Sequence, residues 1–248
     1  MMTMMVDFMS ANKVNLSIVI PCMGRAAHVV ENLDNLKDLN AQVIVVDYSC
    51  PQKVGSIVVD RYPQVDLVQV TDKKYFNLSQ ARNLGLSKVR RDWVFFLDAD
   101  LIIENNFFKK NFNYSNKGKF FLFGRFRQSG ACGSLLAPTV SVKEVGGYDV
   151  RYFGYGGEDV DIFERLTISG LQLEYLPNQP RRVLPHSVEA RVEFYEEKNR
   201  KKSLLVNRVY SHMKINLMRF YYPRVLSEDE LDKIRAYCEE RVEEGIRN

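Results

Sequence analysis

Four short apolar runs, each separated from the next by a stretch with helical spacing, constrain this chain more than anything else in it. Leu16-Ser17-Ile18-Val19-Ile20 is stopped by Pro21, and Val43-Ile44-Val45-Val46 ends at Asp47. Val65 to Val70 is the third run, and Trp93-Val94-Phe95-Phe96-Leu97 ends at Asp98. Runs this short and this continuously apolar read as strands buried on both faces. Between them Val29, Val30, Leu33 and Leu36 recur at helical spacing, and a weaker helix covers Ile57 to Arg61. Ala81, Leu84 and Val89 lie on or near one face of a helix over 79–89. The alternation predicts an α/β fold, a mainly parallel central sheet with helices on both faces. Ligands of such sheets gather outside the carboxyl ends of the strands, where Pro21 to Arg25, Asp47, Asp98 and Asp100 all fall.

Beyond residue 104 the pattern changes. Phe120 to Phe126 reads as an aromatic strand, Leu135 to Val142 offers another, and Gly146-Gly147-Tyr148-Asp149 is a turn. A helix over Asp159 to Ile168 leads to a strand at Leu171 to Leu176. Two helices are expected at 191–218 and 227–244, the second opening on the capping box Ser227-Glu228-Asp229-Glu230. The expected organisation is a disordered end over 1–14, one α/β domain over 15–190, and a C-terminal helical extension over 191–248.

Hydrophobic residues make up 46% of the chain, enough for a substantial core. A net charge of +4 is too small to argue for nucleic acid, and the basic run Lys198-Asn199-Arg200-Lys201-Lys202 reads as a solvated face. Cys22, Cys50, Cys132 and Cys238 form no paired motif and read as reduced thiols, which places the protein in the cytoplasm. The methionine-rich N-terminus lacks the basic and apolar regions of a signal peptide, and no run is long enough to span a bilayer. The aromatics of Arg219-Phe220-Tyr221-Tyr222-Pro223-Arg224 are expected to pack on the α/β domain or a second subunit. The alternative is a peripheral contact with the anionic inner face of the membrane.

Two acidic segments stand out. Asp98 and Asp100 flank the small Ala99 just past a strand, where both can point into one cleft and offer hard oxygen ligands to Mg²⁺ or Mn²⁺. Such a metal neutralises charge on a departing diphosphate. His186, in Leu184-Pro185-His186-Ser187, follows the strand at 171–176 and is expected back at the same edge as a further ligand. Downstream, Phe153-Gly154-Tyr155-Gly156-Gly157-Glu158-Asp159-Val160-Asp161 sets three acids after a glycine-aromatic run. Glu158 and Asp159 fall in the first turn of a helix, placed to take a proton from an acceptor hydroxyl, with Asp159 the preferred base. Tyr155, Gly156 and Gly157 read as an acceptor platform. Asp161 stands about 200° around the helix from Asp159, so only one of the two can face a substrate, and Arg165 is a ready partner for Asp161.

Together these motifs resemble the inverting nucleotide-sugar glycosyltransferases of the GT-A fold, especially family 2 enzymes and the β-1,4-galactosyltransferases. The segment Phe153 to Phe163 is similar to the galactosyltransferase acceptor-and-base segment, and Val19 to Arg25 to its first-strand nucleotide loop. Tyr155 stands where those enzymes carry tryptophan, and Val160 where they carry an acid. The resemblance implies donor-binding roles for Pro21, Arg25, Asp47, Arg82 and Asp98. It implies metal ligation by Asp100 and His186, with Asp98 beside them, and acceptor contact by Tyr155, Gly156, Gly157 and Asp161. The implied activity is Mn²⁺- or Mg²⁺-dependent inverting transfer from a nucleotide diphosphate sugar, a uridine one by preference. The acceptor is a hydroxyl of a saccharide or glycoconjugate, lipid-linked acceptors and a homodimer through the C-terminal helices included. The rival readings are a retaining N-acetylgalactosaminyltransferase-like enzyme and a non-catalytic carbohydrate- or nucleotide-binding module on the same fold.

Overall fold

The computed structural model describes residues 15–103, 107–108, 116–123, 133–176, 181–183 and 189–247. The apolar runs form β1 (Leu16–Cys22), β2 (Gln42–Tyr48), β3 (Asp66–Val70) and β4 (Trp93–Phe96). Helices α1 (Ala26–Leu36), α2 (Val54–Arg61) and α3 (Leu78–Leu86) connect them. Strands β5 (Leu101–Ile103), β6 (Lys119–Phe123) and β7 (Leu135–Pro138) follow, then helices α4 (Thr139–Glu144) and α5 (Glu158–Ile168). Strands β8 (Gln172–Leu176) and β9 (Arg181–Val183) precede the long helices α6 (Arg200–Tyr221) and α7 (Glu228–Arg247).

The main sheet has the order β3-β2-β1-β4-β7-β6-β8, and β7 alone runs against the others. β5 and β9 form a separate antiparallel pair. This is the expected mainly parallel sheet covered on both faces. Ile18 and Ile20 of β1 pack with Val29 and Leu33 of α1 on one face. Val19, next along the same strand, packs with Ala81 of α3 and Ile162 of α5 on the other. Both faces are dry, which is why the strands are apolar without alternation.

Three local features aim side chains at the carboxyl edge. Gly85 lets α3 lie directly on the sheet, since a Cβ there would stand 2.2 Å from Val19 Cγ1. Arg82, one turn earlier on the same face, is thereby driven inward and is 1% exposed. The reversal at β7 sets Phe96 opposite Leu135, so the loop leaving β4 meets the residues entering β7. There the Asp98 amide donates to the Ser134 hydroxyl (3.3 Å), and buried Asn32 donates to the Ala99 carbonyl (2.9 Å).

Some expectations are corrected. The helix expected from 191 begins at Arg200, because the Asn199 side chain caps the amides of Lys201 and Lys202 (3.1 Å each). Residues 135–142 are strand only through Pro138, after which α4 begins. The tail aromatics do not pack on the α/β layer: Phe220 is 80% and Tyr222 63% exposed. Ser227 and Glu230 do form the capping box, with the Ser227 amide donating to Glu230 Oε2 at 2.8 Å. Cys22, Cys50 and Cys238 are free thiols, and Cys132 lies outside the described residues. No helix among the described residues is long and apolar enough to cross a membrane.

The long helices are joined to the sheet layer by buried charge. Lys214 of α6 contacts Asp149 (2.6 Å) and Asp161 of α5 (2.7 Å), and Arg165 pairs with Asp161 at 2.6 Å. Tyr210 donates its hydroxyl to Asp149 at 2.7 Å. Arg151 reaches from Asp149 to Asp232 of α7.

Candidate active site

A cavity of about 340 Å³ opens at the carboxyl edge of the sheet. One wall is the loop after β1, with Pro21, Met23 and Arg25. The floor is Arg82 of α3 with Asp98, Ala99 and Asp100 from the loop after β4, and Gly133 from the entry to β7. The opposite wall is Tyr155, Gly156, Glu158 and Asp159, from the glycine loop and the start of α5. Phe76, Ala190, Phe194 and Tyr195 close the remaining side.

At the centre lies one guanidinium. Arg82 Nη2 donates to Asp98 Oδ1 at 2.8 Å, Nη1 donates to Asp159 Oδ1 at 2.7 Å, and Glu158 Oε1 stands 3.6 Å away. The Arg82 side chain is 1% exposed, whereas those of Asp98 and Asp159 are 26% and 22% exposed, so the acids reach into the cavity above their shared cation. Gly133 permits the convergence: a Cβ there would stand 2.6 Å from Asp98 Oδ2 and 2.9 Å from Asp159 Oδ2. The Tyr148 ring supports the guanidinium from below, 4.7 Å from centroid to Arg82 Cζ. Asn83 holds that tyrosine in place, donating to its carbonyl (2.7 Å) and accepting from its amide (2.8 Å).

Burial raises the Asp159 carboxyl well above the ordinary aspartate range, the neighbouring charge of Glu158 adds to this, and Arg82 opposes both. Burial likewise raises Glu158, again against Arg82. Burial works against the charge on Arg82, but Asp159, Tyr148, Asp98 and Glu158 hold it firmly protonated. Tyr195 is kept a neutral phenol by burial and by the charge of Glu158. Glu158 and Asp159 also sit at the positive end of α5, whose cap is Gly157 at φ +102°. The arrangement suits proton abstraction: an ionisable acid with an elevated proton affinity, held in place by a fixed cation.

Most residues expected at the site line this cavity: Pro21, Arg25, Arg82, Asp98, Asp100, Tyr155, Gly156, Glu158 and Asp159. Two acids do not. Asp161, expected at the acceptor, is fully buried behind the site on Lys214 and Arg165, because it leaves α5 on the side away from the cavity. Asp47, expected at the nucleoside, turns inward and accepts the amides of Cys50 (2.8 Å) and Gly55 (2.9 Å), fixing the turn between β2 and α2. Gly157 caps α5 and does not line the cavity. His186 lies outside the described residues.

Other wall residues carry no motif. Arg25 Nη2 donates to the Ala190 carbonyl at 2.7 Å, and the Phe76 amide donates to the Phe194 carbonyl at 2.7 Å. The Phe194 ring rests on Gly24, where a Cβ would stand 1.9 Å from it. The available signal was the aromatic pair Phe194-Tyr195 just ahead of the Asn199 cap. Tyr155 is covered by Arg200 at 4.6 Å.

Among the described residues no three acid, histidine or cysteine side chains form a metal cage. The donor set still fits a hard divalent ion, because Asp98 and Asp100 put two carboxylates on the cavity floor. Mg²⁺ and Mn²⁺ sites commonly take one or two protein carboxylates and fill the remainder with water and substrate phosphates.

Residues 17–144 match the family described as glycosyl transferase family 2, which is more than half of the chain, and the protein belongs to that family. Residues 123–187 match a second description, the N-terminal domain of galactosyltransferase. Among solved structures the chain is similar to S. aureus TarS 1–349 in complex with UDP-GlcNAc, with 15% identity and a TM-score of 0.63. That match covers 92% of this chain and 72% of the other, though only 43% of a longer TarS chain is spanned. A mannosyltransferase from Pyrobaculum calidifontis in complex with GDP-Man and Mn²⁺ matches at 13% identity and TM-score 0.56, covering 93% and 70%. A Drosophila β-1,4-galactosyltransferase 7 mutant in complex with manganese, UDP-Gal and xylobiose matches at 15% identity and TM-score 0.53, covering 75% and 77%. These likenesses establish the fold, that of the GT-A glycosyltransferases.

Proposed function

We propose that this glycosyltransferase performs metal-assisted, inverting transfer of a sugar from a nucleotide diphosphate donor to a hydroxyl of a saccharide or glycoconjugate. The observation that carries the reading is the buried guanidinium of Arg82, which ties the acid at the mouth of α5 to the acid after β4 across one cavity. Asp159 takes the proton of the acceptor hydroxyl as its oxygen bonds to the anomeric carbon. The bond from that carbon to the diphosphate oxygen breaks, and its electrons leave with the nucleoside diphosphate. Arg82 keeps Asp159 oriented and favours its ionised form against burial and Glu158. Asp100, with Asp98 beside it and His186 completing the set, would hold Mn²⁺ or Mg²⁺, which when bound neutralises charge on the leaving diphosphate. Pro21 and Arg25 form the nucleotide wall. Tyr155 and Gly156 form the acceptor wall. UDP is the preferred nucleotide, a choice supported by fold neighbours solved with UDP-GlcNAc and UDP-Gal. Exposed Phe220, Tyr222 and Val225 at the turn between the long helices would let the chain meet a lipid-linked acceptor at a membrane surface.

General base assistance contributes roughly 10²- to 10⁴-fold. Asp159→Asn should therefore lower turnover by that factor, while the Mn²⁺-dependent thermal shift produced by the nucleotide sugar stays the same. Undiminished turnover would remove Asp159 as base. Retention of the donor's anomeric configuration in the product, read by NMR, would remove inversion.

A further inference from the structure

We infer that Asn207 of α6 is the positioning residue of the acceptor half of the site, and that Arg235 of α7 locks it in that role. The inference rests on the reading of the glycine loop and Asp159 given above. Asn207 is fully buried. Its Nδ2 donates to the carbonyls of Phe153 (3.1 Å), Tyr155 (3.4 Å) and Gly156 (2.5 Å), its two hydrogens shared among them, so one amide gathers three carbonyls of the loop. Its Oδ1 accepts from Arg235 Nη1 at 2.6 Å. The orientation of the amide is forced, because one side faces only acceptors and the other faces a guanidinium.

The glycines are the complement of this grip. A Cβ at Gly154 would stand 2.1 Å from Ser203 Oγ, one at Gly156 would stand 2.8 Å from Leu204 Cδ2, and one at Gly157 would stand 3.0 Å from Asn207 Cβ. Helix α6 thus lies against bare backbone along the loop, and all three glycines have positive φ. Gly157 caps α5, so the amide that fixes the loop also fixes the approach to Glu158 and Asp159. A loop of glycines has little stiffness of its own, and here its stiffness is supplied from α6.

The test compares wild type with Asn207→Asp, which keeps the shape and the Arg235 contact but replaces the donor with an acceptor. Arg235→Met, which leaves the carboxamide in place but unlocked, is the second variant. Backbone amide exchange is followed by mass spectrometry across 153–157 and across β1 to β4. Hydrolysis of UDP-GlcNAc or UDP-galactose with Mn²⁺ gives the kinetic readout. Expected are exchange at 153–157 at least tenfold faster in Asn207→Asp and a smaller increase in Arg235→Met, with β1 to β4 protected as in wild type. The kcat of hydrolysis should fall roughly tenfold with the donor KM unchanged. If Asn207→Asp loses protection in the sheet as well, Arg235→Met decides. Native protection at 153–157 in the folded variants, or a loss of activity carried wholly by donor KM, overturns the inference. Failure of the wild type to hydrolyse either sugar counts against the proposed function, and the exchange comparison still judges Asn207.

Discussion

Replacing Lys214 with methionine isolates the charge that joins the long helices to the sheet layer. The side chain is 3% exposed and its partners Asp149 and Asp161 are 4% and 0% exposed, so solvent cannot take over its role. Methionine roughly preserves the volume, and the loss is mainly electrostatic. Breaking a buried pair by removing one partner costs about 3–5 kcal/mol. Here Asp161 retains Arg165 and Asp149 retains Arg151 and Tyr210, which places the cost near the lower end, about 3 kcal/mol. For a chain of this size that lowers Tm by roughly 6–12 °C. The pH dependence supplies the sharper test. Burial alone would raise the Asp149 carboxyl, but Lys214, helped by the Tyr210 hydroxyl and the Arg151 amide, outweighs it and holds the group well below the usual range. A depressed carboxylate stabilises the fold above its unfolded value of about 3.9, and that stability is lost as pH falls toward the folded value. Without Lys214 the depression is reduced, so the gap between variant and wild type should narrow as pH falls below about 4. Urea denaturation followed by circular dichroism at pH 7 and pH 3 measures both quantities. A destabilisation under about 1 kcal/mol, or one equal at the two pH values, would refute the reasoning.

Two further outcomes are expected. In the proposed mechanism turnover needs ionised Asp159, whose proton affinity is raised by burial and by Glu158, so the rate should fall on acidification at a higher pH than an ordinary aspartate would give. Glu158→Gln removes one of the causes that raise it, and the acid limb of the kcat profile should then move to lower pH; a limb that stays or rises contradicts the electrostatic reading. Gly85→Ala would thrust a methyl within 2.2 Å of Val19 in the sheet core. Overpacking of about 3 kcal/mol, less about 1 kcal/mol of gained helix propensity, predicts a Tm lower by roughly 4–8 °C in a thermal melt. An unchanged Tm would show that α3 can lift freely from β1.

What could be read from the sequence was whatever chain-local chemistry encodes. The apolar runs announced the strands, and the acids that end a strand or open a helix announced the cavity floor and wall, as with Asp98, Asp100, Glu158 and Asp159. Partnerships between distant residues were not legible. Nothing local to Asp161 points to Lys214, 53 residues on in α6, and so the acid was assigned to the acceptor when it is part of the core. Asp47 had the position of a ligand-facing acid, but amides three and eight residues later claim both its oxygens. Arg82 was expected near the donor, and its part as the buried counter-ion of three acids emerges only when α3, α5 and the loop after β4 meet. The start of α6 was missed because its apolar residues have no clear period before Asn199, where the cap alone sets the boundary.

The hold of α6 on the glycine loop bears on how the protein can be shortened. A chain cut after residue 190 would keep every strand described here and look like a tidy minimal enzyme. It would also lack Phe194, Tyr195, Asn207 and Lys214, leaving one side of the cavity open and helix α5 untethered. Such a fragment could fold and still be inert, and its silence would be mistaken for the absence of a substrate.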